Sequence, residues 1–531
     1  MTNPLFSTAA HDFLAKLAAV VLTMSIAAGC AGVRPPLESD LESPEAAIRD
    51  CARWFARLDE AVDRAGVRDA GDYRIPGFPY LRADRFAASF GSTVREDPAA
   101  FAVWVNRLRD LDATARAYEL QNLPAASLAA LDIPDKHAAE TRSDGCAAEL
   151  RRADLASGPQ IAELIARSAV PDDYLDGNRV LGLYPITGIP FSFGVERWHE
   201  ETVAMFRRAG TSANGEDALV RYEPAGQPED AVQARATLTR APTDLLGIPR
   251  LSRENRDRLL RAFAPIFEID TSGIYDRFGP LAWGAGPAPE VDMSHPVAYR
   301  RLALTRYRGG ILAQLVYTIW FPERPQNGAF DLQAGRLDGI VFRITLDREG
   351  RPLVYDSIHP CGCYHMFFPT ARVATTPSPE AGTEWAFVPL TLPPADPSRR
   401  ITVTVASGSH YITGLRFDTG GRGTPYQLAD DDALRVLPTL DGGTRSAFGP
   451  DGIVPGTERL ERFFLWPTGV ESPGAMRQWG KQATAFLGRR HFDDADLIER
   501  RFSTIEPPSS PVSGSPRSMT RREPLLGAPG G

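Results

Sequence analysis

Apolar residues recur at intervals of three and four along the first part of the chain, which is the spacing of an amphipathic helix. The first such pattern follows Ser43-Pro44-Glu45, where a serine N-cap and a proline at the first helical position predict a helix start. Similar spacing runs through 99–120 and 144–155. We therefore predict a helical region over residues 43–264. The apolar positions of its first helix are Ala47, Ile48, Cys51, Trp54, Phe55 and Leu58.

From about residue 265 the pattern changes to β-branched runs and strict alternation, which predict strands. Residues 340–346 alternate apolar and other side chains, and Asp347-Arg348-Glu349-Gly350 then predicts a hairpin turn into a strand at 353–358. Two further strands are predicted at 311–321 and 401–406. These segments form a predicted antiparallel β-domain over residues 265–430.

The predicted fold class is α+β, with an N-terminal helical domain, a mainly antiparallel β-domain and a short helical C-terminal segment. The C-terminal α/loop segment covers residues 431–503 and includes a helix near 475–487. Residues 504–531 are rich in Pro, Ser, Gly and Arg, so we predict a disordered tail. A different irregular segment, the Pro- and Gly-rich stretch 183–191, is predicted to be a loop.

The chain has 531 residues, 43% of them hydrophobic and 24% charged, which is an ordinary globular composition. A formal net charge of −8 argues against nucleic acid as an electrostatic partner. Lysine occurs only at Lys16, Lys136 and Lys481, so arginine carries nearly all of the positive charge. Because arginine is used in place of lysine throughout the chain, its abundance says little about phosphate binding.

The N-terminal segment has the pattern of an export signal. Lys16 is followed by a short apolar run, which fits the hydrophobic region of a signal peptide and is too short for a transmembrane helix. The junction Ala27-Ala28-Gly29-Cys30 resembles the lipobox of bacterial lipoproteins. The resemblance implies a signal peptide over residues 1–29, lipid attachment at Cys30, a tether over 30–42 and membrane anchoring in the cell envelope. Ala31 then favours sorting to the outer membrane.

Export changes the interpretation of the cysteines. Cys30 is assigned to the lipid and Cys361 and Cys363 share one loop, which leaves Cys51 and Cys146 as a pair. We predict a disulfide between them in an oxidising compartment, with two separate buried thiols as the alternative.

The seven residues 359–365 carry most of the candidate chemistry. Their sequence places His359, Cys361, Cys363 and His365 close together, and thiolate and imidazole are ligands for zinc and copper. In an extended strand the outer pair would be about 20 Å apart. Pro360 and Gly362 allow a tight turn, so we predict that the four donors converge on one transition metal. His410, in a loop after a strand of the same sheet, is the most favoured outside ligand.

Besides metal binding, the Cys-x-Cys pair fits two further roles. The thiols can form a redox-active pair, or they can pack as buried side chains or a structural disulfide. A second set of acid and base groups, Glu196, His199 and Glu200, lies one helical turn apart, although a solvated helix face is the commoner reason for that spacing. There is no Gly-x-Ser-x-Gly, phosphate-loop, dinucleotide-binding or haem-attachment motif.

The sequence therefore supports two hypotheses. The first is an envelope metalloprotein, an enzyme of hydrolase or oxidoreductase type, with Asp356 or Glu196 as general base if the metal is zinc with an open position. The second is a non-enzymatic envelope lipoprotein that binds a partner or ligand and in which the Cys-x-Cys loop is structural.

Overall fold

The structure is a computed structural model that describes residues 36–209, 219–227, 229–396 and 398–505. The predicted signal peptide, Cys30 and nearly all of the tail lie outside these residues. The described chain is α+β, as predicted. Within it, no helix is both long and apolar enough to cross a bilayer.

Helices dominate the first half of the chain, and several of them begin at an Asp or Ser whose side chain caps the first turn. Asp97, for example, caps a long helix by accepting from Ala99 N and Ala100 N, with Pro98 at its first position. The helices are α1 (Pro36–Leu41), α2 (Ala46–Ala65), α3 (Arg85–Ala88), α4 (Gly91–Glu96), α5 (Pro98–Asn122), α6 (Ala125–Ala130), α7 (Lys136–Asp154), α8 (Gly158–Arg167), α9 (Asp176–Leu181), α10 (Tyr184–Ala209), α11 (Ala231–Thr239), α12 (Arg253–Ala262), α13 (Arg462–Leu465) and α14 (Leu497–Arg501).

The strands form one large sheet and several short pairs. They are β1 (Tyr73–Arg74), β2 (Arg82–Ala83), β3 (Leu219–Pro224), β4 (Ile266–Asp270), β5 (Leu281–Trp283), β6 (Pro289–Val291), β7 (Val297–Tyr307), β8 (Gly310–Arg324), β9 (Gly335–Leu346), β10 (Pro352–Ile358), β11 (Met366–Pro369), β12 (Val373–Thr375), β13 (Arg400–Val405), β14 (Ile412–Asp418), β15 (Thr424–Asp430), β16 (Leu437–Pro438), β17 (Thr444–Arg445) and β18 (Phe502–Thr504).

The large sheet has ten strands in the order β11-β10-β9-β8-β7-β15-β3-β4-β13-β14. Most neighbours are antiparallel, but β15 runs parallel to both β7 and β3, and β13 runs parallel to β4. Strand β3 lies within the predicted helical region, so that region contributes a strand to the sheet. The predicted hairpin over 340–358 is present as the antiparallel pair β9 and β10.

The sheet curves so strongly that strands far apart in its order share one core. The rings of Tyr355 in β10 and Phe417 in β14 are 6.3 Å apart, although β14 is the edge strand at the other end. A single apolar cluster includes Phe342, Tyr355, Val403 and Leu415, which come from both ends of the sheet. The curvature follows from the twist of strands and brings loops from distant strands to one end of the sheet.

Two sequence predictions about local structure are wrong. Residues 475–487 contain no helix, because Gly474 and Gly480 adopt positive φ angles and the segment packs against another loop instead. Residues 184–191, predicted as a loop, belong to α10, which includes Pro190. Pro185 lies in the first turn of α10, where backbone N–H groups have no helical partner, whereas Pro190 lies inside the helix and leaves one helical hydrogen bond unmade.

The predicted disulfide is confirmed. Cys51 in α2 and Cys146 in α7 are bonded, with their Cα atoms 4.9 Å apart. Both cysteines lie in the apolar cluster of the helical region. The bond ties two helices that are separated by 95 positions in sequence, which restricts the unfolded chain.

A pair of buried carboxyl groups joins the start of the described chain to α7. Asp40 in α1 and Asp154 at the end of α7 are 7% and 1% exposed, and Tyr80 Oη donates to Asp154 Oδ2 over 3.0 Å. Burial first, and then the neighbouring Asp40, raise the pKa of Asp154 to about 8. The pair therefore shares a proton at neutral pH.

We expect this pair to make stability fall as pH rises. The unfolded carboxyl has a pKa near 3.8, so the folded state binds one more proton between there and about pH 8. Its contribution is fully present below pH 3.8 and is lost by about pH 8. We expect the difference in melting temperature, Asp154→Asn minus wild type, to be more positive at pH 8 than at pH 5, because only the wild type loses this contribution. Asp144→Asn, on the exposed side of α7, is the matched control and should show no such trend.

Candidate functional site

Asp338, at the start of β9, is the centre of a buried polar cluster. Its Oδ1 accepts from His359 Nδ1 over 3.0 Å and its Oδ2 accepts from His410 Nδ1 over 3.0 Å. Arg459 Nη2 lies 3.6 Å from Oδ1. Asp338 is 0% exposed, so this carboxylate is stabilised by these partners rather than by water. The two histidine loops therefore meet at one end of the sheet.

The two histidines on Asp338 are in different electrostatic environments. Burial lowers the pKa of His359, and Asp338 only partly offsets that effect. Burial also opposes the charge of His410, but the hydrogen bonds that its ring donates to Asp276 and Asp338 outweigh burial and raise the pKa of His410. His410 Nε2 lies 3.5 Å from Asp276 Oδ1, and its ring stacks on Phe321 at 3.9 Å. His410 thus bridges two carboxylates.

The loop over residues 359–365 has the tight turn that its sequence predicts. His359 N donates to Cys363 O over 3.0 Å, and Gly362 N donates to His359 O over 2.8 Å. Gly362 has a φ of 93°, and a Cβ there would lie 2.2 Å from Ala483 O. Glycine is required at this position because both the backbone angle and the contact exclude a side chain.

The turn does not bring the four predicted donors together. His365 points to a different buried pair, donating from Nε2 to Asp356 Oδ2 over 3.1 Å, while Arg343 contacts both oxygens of Asp356. Burial lowers the pKa of His365 to about 3, so its ring is neutral. Among the described residues, no group of three or more His, Cys, Asp and Glu side chains is arranged to hold a metal ion. Metal binding at this loop stays a prediction.

Neither predicted general base is free to act at the loop, because Asp356 is paired with Arg343 and Glu196 is exposed on α10. Asp356 is 0% exposed and forms a salt bridge with Arg343 at 2.5 Å, which holds its pKa low despite burial. Glu196 and Glu200 are exposed on α10. His199 stacks on Phe387 at 3.9 Å, and burial lowers its pKa to about 4.

The two thiols of the loop face each other without a bond. Cys361 is 3% exposed, whereas Cys363 is half-buried, and both are free. Cys363 N donates to Cys361 Sγ over 3.4 Å. Burial raises the pKa of Cys361, but the hydrogen bond from the Cys363 thiol and the charge of Arg459 together bring it below the usual value. The same hydrogen bond and burial raise the pKa of Cys363. This is the arrangement of a dithiol in which one sulfur is the more readily ionised.

Sequence reasoning missed Asp276, Asp338 and Arg459. The signal for Asp338 was available: a charged residue directly before the apolar strand 340–346, where a buried carboxylate requires partners. Neither Asp276 nor Arg459 lies near a recognisable motif. Comparisons with protein-family models, with curated proteins and with solved structures found no match to this chain.

Proposed function

We propose that this protein is an envelope lipoprotein that performs thiol–disulfide exchange through Cys361 and Cys363. The observation that carries the proposal is the pair of adjacent, unbonded thiols at the turn of the loop, one of them half-buried. Adjacent thiols can pass two electrons to a disulfide by closing a bond between themselves.

The surroundings of the pair support this chemistry. Arg459 lies beside Cys361 and favours its thiolate, and the turn at Gly362 holds the two sulfur-bearing residues on one side of the loop. The loop is itself held by its own backbone hydrogen bonds and by Arg477 N, which donates to Pro360 O over 3.2 Å. A rigid loop keeps the two sulfurs in reach of each other before the reaction begins.

The exposures of the two cysteine residues assign their roles in the reaction. When the pair has lost one proton, Cys363 transfers its remaining proton to Cys361 along their hydrogen bond and attacks the substrate disulfide as a thiolate. The first product thiolate leaves and takes the proton from Cys361. Cys361 then attacks Cys363 Sγ and displaces the second thiolate. One disulfide is reduced to RSH and RS⁻, and the two cysteine sulfurs supply the two electrons as they are oxidised to the Cys361–Cys363 disulfide.

An exchange assay tests this function directly. We expect the purified, reduced protein to reduce a small aromatic disulfide with release of two thiols per protein, and to turn over when a dithiol reductant is present. The double variant Cys361→Ser/Cys363→Ser should react at the background rate. A wild-type rate equal to that of the double variant would remove the proposal.

The second candidate function is binding of a transition metal by the same two sulfurs. Thiolates are the soft donors that copper(I) and zinc bind, and two of them are adjacent here. In this form, the metal hypothesis uses the sulfurs rather than His359 and His365, which donate to Asp338 and Asp356.

The envelope location is a separate part of the proposal, and it rests on the junction Ala27-Ala28-Gly29-Cys30. We expect the wild-type protein to incorporate labelled fatty acid and to fractionate with membranes. Cys30→Ser should lose the label and appear in the soluble fraction, because a protein needs its acyl chains for stable anchoring. A wild-type protein without lipid label would contradict the anchoring.

A further inference from the structure

The largest cleft beside the cluster opens where β8 ends and β9 begins. It has a volume of about 820 Å³, which is within the range of ligand sites. The loop 325–334 forms one wall and the turn before His410 forms the other. Its lining is mostly polar and includes Tyr275, Arg324, Asn327, Phe330, Gln333 and Ser409.

Arg324 lines the cleft and has unused hydrogen-bonding capacity. Its side chain is mostly buried, yet it has no carboxylate within ion-pair distance among the described residues; its partners are neutral. Nη1 donates to Ser409 O over 3.3 Å, and Nη2 donates to Gln333 Oε1 and Tyr411 Oη over 2.7 and 3.1 Å. Three of the five guanidinium donors are thus used, which leaves Nε–H and one Nη1–H for a ligand.

A guanidinium with neutral partners and free donors favours an anionic group, above all a carboxylate. Asp331 also lines the cleft, but it lies outside ion-pair distance of Arg324. Its Oδ1 and Oδ2 accept from the backbone N–H groups of Asn327, Gln333 and Ala334. That carboxylate can still accept from a ligand hydroxyl, since each oxygen has two lone pairs.

Phe330 supplies the second feature of the site. Its side chain is 94% exposed on the cleft wall, so it adds no packing to the fold. An exposed aromatic ring beside a polar cleft provides a flat apolar surface for a ligand. Gln326, Asn327, Gln333, Ser407 and Ser409 also line the cleft and add amide and hydroxyl groups to its walls.

We propose that this cleft binds a sugar that carries a carboxylate. A sugar ring presents a flat face of C–H groups to Phe330, its hydroxyls match the amides and hydroxyls of the walls, and its carboxylate takes the free donors of Arg324. Neither Cys361 nor Cys363 lines the cleft, so this site does not rest on the proposed function.

Binding of D-glucuronate and D-glucose tests the proposal, because these sugars differ only in the carboxylate. By calorimetry or ligand-observed NMR, the wild-type protein should bind glucuronate at least about tenfold more tightly than glucose, as expected for a charge-assisted hydrogen bond in a partly dry cleft. Arg324→Gln should remove that difference. Phe330→Ala should weaken both sugars, and Phe463→Ala, an exposed phenylalanine elsewhere, should change neither.

Absence of saturable glucuronate binding to wild type at about 10 mM would overturn the proposal. The proposal would also be overturned if Arg324→Gln and Phe330→Ala both bound glucuronate as tightly as wild type does. Phe330→Ala replaces an exposed side chain and should fold normally, so the test does not depend on the stability of the arginine variant. Cys361→Ser should bind glucuronate as wild type does, which separates this result from the exchange assay.

Discussion

Cys361→Ser is expected to accumulate a stable mixed disulfide at Cys363 when mixed with a disulfide substrate. The half-buried residue Cys363 makes the first attack, and the thiol of the buried Cys361, which would resolve the intermediate, has been removed. Turnover should fall by at least about 100-fold, because the hydroxyl of serine is a very weak nucleophile toward sulfur. Intact-mass measurement before and after reduction reports the adduct and its position.

The reciprocal variant is the matched control. Cys363→Ser retains only the 3% exposed Cys361, so it should form little mixed disulfide and should also lose turnover. Equal adduct formation by both single variants would contradict the assignment of roles. Adduct at Cys361 alone would reverse it.

Asp338→Asn should cause the largest loss of stability among single substitutions in the polar cluster. The variant leaves His410 and Arg459 without their shared carboxylate, and its amide Nδ2 places a donor against a donor. Removing one partner of a buried charged group costs about 3–5 kcal/mol. The free energy of unfolding from urea denaturation measures this loss.

An exposed carboxylate provides the comparison for that substitution. Asp441→Asn removes an acid from an exposed turn and should change the free energy of unfolding by no more than about 0.5 kcal/mol. A loss below about 1 kcal/mol in Asp338→Asn would mean that the cluster is not held together by this carboxylate.

Local patterns predicted the parts of the fold that depend on neighbours in sequence. The alternation of Ile340 to Leu346 and the turn ending at Gly350 predicted the β9–β10 hairpin, since strand period and turn chemistry are both local properties. Pro360 and Gly362 predicted the tight loop for the same reason. The pairing of Cys51 with Cys146 followed from assigning the other cysteines first.

The composition of the site depended on contacts that no local pattern encodes. Asp338 meets His410 because a ten-stranded sheet curves until the loop before β14 reaches the start of β9. His365 is not beside the other predicted ligands because its Nε2 donates to Asp356, which Arg343 holds in place. The helix predicted at 475–487 is absent because that segment packs its backbone against the Gly362 turn.

Cys361 and Cys363 are expected to interconvert between a dithiol and a disulfide. This exchange is measured by equilibration in a series of glutathione redox buffers, followed by alkylation, mass mapping and metal analysis of the same samples. We expect these two cysteines to change together from fully alkylated to fully protected while Cys51 and Cys146 stay bonded throughout. Thiols that stay alkylated in every buffer, or that are held by a stoichiometric metal, would contradict this expectation.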